Sequence, residues 1–176
     1  REWTEIIMST KFAFVGFRHP HIFDMYQRCR ESDQIEIVAC CEEDAETRAS
    51  LVERDDLEIT HDSYATMLAG VECDVVAVGD CYGRRAELLF AALEAGRQVI
   101  SDKPICISIA ELDAIEAAAR KQQRVVGCML DMRDLPIYLG LRQQIQDGVI
   151  GEVQAISFNG QHPLNYGKRP MWYFEP

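Results

Sequence analysis

KFAFVGFRHPHIFDMYQRC, from Lys11 to Cys29, decides the fold together with RESDQIEIVACCE, which runs on to Glu42. A short apolar run ends at Gly16, and a helical pattern begins near His21. A second apolar run begins at Ile35 and ends just before Glu42. Strand, turn, helix, strand and acidic residue is the order of a dinucleotide-binding βαβ unit.

The turn after the first strand is expected to hold the phosphates of a dinucleotide. A helix N-terminus has unpaired N–H groups and a partial positive charge, which together favour a diphosphate. Glu42 ends the second strand, where a carboxylate can accept hydrogen bonds from both ribose hydroxyls, and it would repel the 2′-phosphate of NADP. The fingerprint G-x-G-x-x-G is incomplete, because Arg18 and His21 replace two glycines. On this motif alone, a strand-turn-helix that only packs remains an alternative.

Composition excludes several classes of protein. The chain has 176 residues, 48% of them apolar, and a net charge of −11, so we expect it to bind neither nucleic acid nor anionic membrane. No apolar stretch approaches the roughly 20 residues of a membrane span. Seven cysteines without a C-x-x-C pair indicate reduced thiols in a cytoplasmic protein. His19 and His21 offer two metal-binding nitrogens, but nothing nearby in sequence completes a site, so no metal is expected.

Beyond Glu42, strand patterns alternate with helix patterns as far as Met129, which predicts a doubly wound parallel α/β sheet. The predicted strands are 58–60, 75–78, 98–101 and 124–129. The predicted helices are 45–54 with Leu51 and Val52 inward, 64–69, 84–95 and 109–122, with caps at Asp44, at Asp62 or Ser63, and at Ser108.

The pattern changes after Leu130. A helix is predicted over 137–147 and a half-buried strand over 151–158, followed by a stretch rich in turn formers and aromatics. One helix and one strand cannot bury a core of their own. We therefore divide the chain into a leader or disordered tail (1–10), a Rossmann domain (11–130) and the incomplete beginning of a second α/β domain (131–176).

The ordered motifs together resemble the Gfo/Idh/MocA oxidoreductases. The matching pieces are VGFRHPH, VACCEEDAETRA, THDSYATML, CDVVAVGD, AELLFAALEAGRQVISDKP, the helix with GVIGEV, and RPMWYFEP. The strongest is ALEAG followed by a strand and D-K-P, where the family usually has E-K-P. The family's A-T-P-N-x-x-H turn is replaced here, with Arg85 at the histidine position. Its catalytic D-x-x-x-H segment is absent, so we expect these residues to be part of a longer protein.

The resemblance implies hydride transfer between NAD or NADP and a sugar, polyol or related hydroxy compound, and Glu42 favours NAD over NADP. It places Lys103 at the active-site lysine, and the C-terminal domain at the substrate and at a homo-oligomer interface. The residues expected to bind the coenzyme are Gly16, Phe17, Arg18, His19, Glu42, Asp80, Cys81, Asp102, Lys103 and Trp172.

Some assignments stay open at this stage. His162, Asn165 and Tyr166 could reach a polyol or belong to a plain loop. The chain could also belong to a non-catalytic NAD-binding sensor of the same fold, or to another Rossmann enzyme such as a dehydratase or a glycosidase that oxidises its substrate transiently.

Overall fold

The computed structural model describes residues 9–174. The chain divides into two compact units, the first ending at Met129 and the second beginning at Leu130. Residues 1–8, most of the expected leader, lie outside the described residues, and Thr10 already belongs to the first strand. Among residues 9–174, no helix has the length and apolar character needed to cross a bilayer.

Five parallel strands form the sheet of the first unit. They are β1 (Thr10–Val15), β2 (Ile35–Cys41), β3 (Val75–Val78), β4 (Gln98–Ser101) and β5 (Val126–Cys128). Their order is β2-β1-β3-β4-β5, so the chain crosses from one side of β1 to the other between β2 and β3. This confirms the predicted doubly wound sheet and puts its topological switch point at the carboxyl ends of β1 and β3.

Local sequence signals explain where the helices begin. The helices are α1 (His21–Arg30), α2 (Ala45–Leu51), α3 (Tyr64–Gly70), α4 (Arg85–Glu94) and α5 (Ile109–Gln122), with α6 (Pro136–Gln146) in the second unit. Asp44, Ser63 and Ser108 accept hydrogen bonds from the first turns of α2, α3 and α5, so these predicted caps are confirmed.

The core lies on both faces of the sheet. On β1, Ala13 and Val15 join a cluster with α4 and α5, whereas Phe14 points the other way, toward α1. Phe14 packs there against the buried face of α1, which is formed by Ile22, Met25, Tyr26 and Cys29. Burial on two faces explains why the strands read as continuous apolar runs.

Three predictions of structure are wrong, each because a non-local partner decides the outcome. The 58–60 segment forms no strand in the described chain, and only an isolated bridge joins His61 to Cys41. The 151–158 segment finds no neighbouring strand among the described residues, and Ile156 stays 82% exposed. Helix α2 ends at Leu51, so Val52 turns outward and is 80% exposed.

All seven cysteines are free thiols. Cys29, Cys40, Cys41 and Cys73 are buried, whereas Cys81, Cys106 and Cys128 are half-buried.

Candidate functional site

Polar residues collect at the carboxyl edge of the sheet, where four strands end. Gly16 to His19 follow β1, Glu42 follows β2, Asp80 and Cys81 follow β3, and Asp102 and Lys103 follow β4. Ligands of open α/β sheets bind in the crevice at this edge. Nine of the ten residues predicted to bind a coenzyme therefore share one edge.

Two glycines bring the turns after β1 and β3 into close contact. Gly16 has φ +77°, and a Cβ atom there would lie 2.5 Å from Asp80 Cβ. A Cβ on Gly79 would overlap the Gly16 carbonyl and lie 2.6 Å from Ile22 Cβ. Real Cβ atoms do not come so close, so glycine at both positions is what allows the two turns to touch.

Glu42 is tied to the glycine turn. Its Oε2 accepts the Phe17 N–H at 2.5 Å, and its Oε1 accepts the Asp44 N–H at 2.8 Å. The side chain is almost completely buried, and this burial raises the pKa of Glu42 despite the two hydrogen bonds. Each oxygen keeps one lone pair, which is what a ribose diol would need.

A chain of ion pairs crosses from β2 to β3. Arg18 Nε donates to Asp80 Oδ1 at 2.5 Å, and Cys81 N–H donates to the same oxygen at 2.6 Å. Arg84 lies 3.5 Å from Asp80 Oδ2 and 2.8 Å from Glu43 Oε2. The Arg84 hydrogen bond contributes to holding the pKa of Glu43 below its ordinary value, against the opposing effect of burial.

Asp102 is the centre of a second, buried network. It pairs with His19, with His21 Nδ1 at 3.2 Å and with Arg85 Nη2 at 3.1 Å. Its Oδ1 also accepts the Lys103 N–H at 2.6 Å. Burial would raise the pKa of Asp102, but the His19 hydrogen bond and the Arg85 charge outweigh it and lower that pKa. The carboxylate therefore stays ionised and fixes the backbone of Lys103.

Arg85 connects the same network to the turns after β3 and β4, and its side chain is completely buried. It donates to the carbonyl oxygens of Gly79 at 2.9 Å, Asp80 at 3.0 Å and Pro104 at 2.8 Å. The residue that replaces the family's usual histidine thus has a structural role here, joining the β3 turn to the β4 turn.

His19, His21 and Asp102 form a group of possible metal ligands, because one donor atom from each lies within 4.8 Å of the others. The fold supplies the third donor that was not visible near the histidines in sequence. Arg85 argues against a metal, since it already neutralises Asp102. A divalent ion bound to Asp102 would be repelled by this neighbouring guanidinium. Burial lowers the pKa of His19, which favours its neutral imidazole.

The remaining residues with suggested roles belong to the second unit, which begins at Leu130. Trp172 lies in a 3-10 turn, Met171–Phe174, and its ring stacks on Tyr173 with 4.1 Å between the centroids. His162 Nδ1 lies 3.0 Å from Arg169 Nη2, and Tyr166 is 70% exposed. The roles suggested for these residues remain predictions.

Four residues of this site were not among those predicted from sequence to bind the coenzyme: His21, Glu43, Arg84 and Arg85. The spacing H-x-H and the adjacent Arg84-Arg85 pair were visible signals, but their partners lie far away in sequence. Asp102, for example, meets His21 across 81 residues.

Known proteins share sequence features and the fold with this chain. Residues 10–129 match the model of an oxidoreductase family with an NAD-binding Rossmann fold. The uncharacterized oxidoreductase YfiI of Bacillus subtilis (strain 168) is 32% identical over 114 residues, which cover 61% of this chain and 28% of YfiI. D-glucoside 3-dehydrogenase of Escherichia coli (strain K12) is 30% identical over 125 residues, covering 71% of this chain and 35% of the enzyme.

A solved structure shows the same fold. The WlbA dehydrogenase of Bordetella pertussis, crystallised with NADH and UDP-GlcNAcA, superposes with a TM-score of 0.74 at 19% identity. The match covers 82% of this chain and 44% of WlbA. The chain thus spans less than half the length of these relatives.

The edge described above is that of a dinucleotide-binding Rossmann domain. The chain belongs to the Gfo/Idh/MocA family of oxidoreductases, as its motifs suggested.

Proposed function

We propose that this chain is the coenzyme-binding part of an NAD-dependent dehydrogenase that acts on a sugar, polyol or related hydroxy compound. The observation that supports this most is Glu42, whose two oxygens are oriented by backbone N–H groups of the glycine turn and of α2. Each oxygen retains an acceptor site for one ribose hydroxyl. Because Glu42 is only 1% exposed, the covering side chains must move when the ribose enters.

The charges near Glu42 support NAD rather than NADP. Glu42, Glu43 and Asp80 would repel a 2′-phosphate. Two cations lie next to Glu43, and both already have acceptors: Arg84 is shared between the Glu43 and Asp80 carboxylates, and Arg48 donates to the Glu42 and Glu43 carbonyl oxygens.

Glu42→Gln tests this assignment. We expect the Kd for NADH to rise at least about tenfold and the Kd for NADPH to change much less, because the amide cannot accept from both hydroxyls and does not repel phosphate. NADH and NADPH fluorescence titrations give both values. Glu58→Gln, an exposed carboxylate, serves as the control, and thermal unfolding shows whether each variant is folded. An unchanged ratio of the two Kd values would remove Glu42 from the coenzyme site.

Lys103 is proposed to hold the reacting oxygen of the substrate. It follows Asp102 at the end of β4, and the hydrogen bond from its N–H to Asp102 fixes its backbone. A bound nicotinamide would supply the acceptor for the hydride. The hydroxyl proton would pass to a general base, the part that the resemblance gives to the family's D-x-x-x-H histidine, and the Lys103 ammonium would stabilise the charge that develops on oxygen.

Lys103→Ala is expected to lower the rate of NAD reduction by about 100-fold or more while leaving the NADH affinity within about twofold. The assay uses the full-length protein that contains this chain and follows NADH absorbance with a panel of sugars and polyols. Lys121→Ala, an exposed lysine on α5, is the matched control. Full activity of the Lys103 variant would refute its catalytic role.

A non-catalytic NAD-binding sensor is the second candidate. The replacement of two fingerprint glycines by Arg18 and His21 allows it. Binding of NADH by the full-length protein, without reduction of NAD by any member of the panel, would support this candidate.

We also propose that residues from about 131 onward begin a domain for substrate binding and homo-oligomerisation. Ile137, Ile156 and Phe158 are each more than 70% exposed and would need cover. A monomer in sedimentation equilibrium would contradict the oligomer.

The seven free cysteines support a cytoplasmic location.

A further inference from the structure

Arg18 occupies the position of the second fingerprint glycine. That glycine normally lets the backbone approach the diphosphate of a dinucleotide. Here a long cationic side chain stands at that place and reaches across the turn to Asp80, with 2.5 Å between Nε and Oδ1. The side chain of Arg18 is 19% exposed, whereas that of Asp80 is 3% exposed. Arg18 is therefore the partner that a ligand can reach.

Asp80 has other partners besides Arg18. The Cys81 N–H donates to Oδ1, and the Arg84 guanidinium lies 3.5 Å from Oδ2. If Arg18 turned away, Asp80 would keep a hydrogen bond and a nearby positive charge. An uncompensated buried carboxylate would be costly, so this second set of partners is what makes an exchange feasible.

The ten-residue helix α1 begins three residues after Arg18. Pro20 is its N-cap residue, and among the described residues no side chain caps this end, unlike the caps of α2, α3 and α5. The Ile22 and Phe23 N–H groups of the first turn already donate to the carbonyl oxygens of His19 and Pro20, at 3.4 Å and 3.2 Å, so the guanidinium of Arg18 is the donor that this side of the cleft offers most directly. A planar guanidinium can donate two parallel hydrogen bonds to a phosphate.

Local charge explains why this site would need an arginine. Glu42, Glu43 and Asp80 carry three carboxylates near the cleft. Of the three guanidinium groups beside them, Arg48 already donates to the Glu42 and Glu43 carbonyl oxygens and Arg84 pairs with Glu43, which leaves Arg18 as the cation that can turn to a ligand. An arriving diphosphate adds further negative charge. Without a cation free to face it, repulsion would oppose binding.

We propose that Arg18 is a diphosphate-binding residue that pairs with Asp80 in the ligand-free protein and moves to the diphosphate when the coenzyme binds. This inference rests on the proposed function. It gives Arg18, which replaces the second fingerprint glycine, a role in binding. The guanidinium compensates for the contact between backbone and diphosphate that the glycine would have allowed.

A series of ligands isolates the diphosphate contribution. Adenosine, AMP, ADP and NADH are titrated by calorimetry into the wild type and into Arg18→Gln. We expect the variant to weaken ADP and NADH by about tenfold to 100-fold and to leave adenosine within about twofold. Arg18→Lys should recover part of the loss. Arg28→Gln, an exposed arginine on α1, is the matched control and should change none of the four affinities.

Asp80→Asn supplies a test of sign. If Arg18 must leave Asp80 before it meets the diphosphate, a weaker pair should make NADH binding about twofold to fivefold tighter, opposite to the effect of Arg18→Gln. If Arg18 only supports the turn, both variants should weaken adenosine and NADH alike. Thermal unfolding identifies variants that remain folded.

The outcomes separate the two proposals. Failure of the wild type to bind NADH or ADP would overturn the proposed function itself. NADH binding that Arg18→Gln leaves unchanged or tightens would overturn only the role of Arg18, as would an equal loss of adenosine and ADP. A loss confined to diphosphate ligands, with the opposite sign for Asp80→Asn, is the result expected here.

Discussion

Asp102→Asn is expected to lower the free energy of unfolding by about 3–5 kcal/mol, because it leaves the buried Arg85 guanidinium without its charged partner. Arg85 and Asp102 are both completely buried, with 3.1 Å between Nη2 and Oδ2. The same carboxylate also accepts from His19, His21 and the Lys103 backbone, so the substitution disturbs donors on three loops at once. Few single changes in this chain remove so many buried contacts.

Urea denaturation followed by circular dichroism measures this loss as a change in midpoint at constant slope. Glu116→Gln is the control, since it breaks an ion pair with Arg120 whose side chains are 60% and 79% exposed. Exposed pairs one helical turn apart contribute only about 0.5 kcal/mol. If Asp102→Asn cost no more than this control, Asp102 would not be the centre of the network.

Gly16→Ala is expected to cost about 2–5 kcal/mol, from two sources that can be separated. Its φ of +77° strains any residue with a Cβ by about 1–2 kcal/mol. The new Cβ would also lie 2.5–2.8 Å from Asp80 atoms, two of them backbone, and overpacking adds about 1–3 kcal/mol.

Gly96→Ala in the same unit separates the two costs. Gly96 has nearly the same φ, +74°, but the nearest atom to its added Cβ is Arg124 Nη2 at 3.8 Å, an ordinary contact. Only the strain should therefore appear there. Equal losses for the two variants would show that the turns after β1 and β3 are not in contact at Gly16.

The elements that the sequence predicted well carry their signals locally. The strand at Gln98–Ser101 and the helix at Ile109–Gln122 match the structure, because an apolar run and a capping serine lie next to each boundary. The strand predictions for 58–60 and 151–158 were wrong because a strand requires a neighbouring strand, and no local pattern shows whether the fold provides one.

The candidate site divides in the same way. The position of Glu42 at the sheet edge could be predicted from sequence because it directly follows an apolar strand, and that of Lys103 because D-K-P resembles the family's E-K-P. The convergence of His19, His21, Arg85 and Asp102 could not, because it depends on which strand ends are neighbours in the sheet. The burial of Arg85 was likewise invisible, since a charged side chain is rarely buried unless its partners are known.

Calorimetric titration of the purified protein with NADH and, separately, NADPH tests the central claim most directly. The geometry around Glu42 and the surrounding carboxylates predicts that NADH binds at least about tenfold more tightly than NADPH. Binding of neither nucleotide, or equal or tighter binding of NADPH, would contradict the proposal that this edge of the sheet is an NAD site.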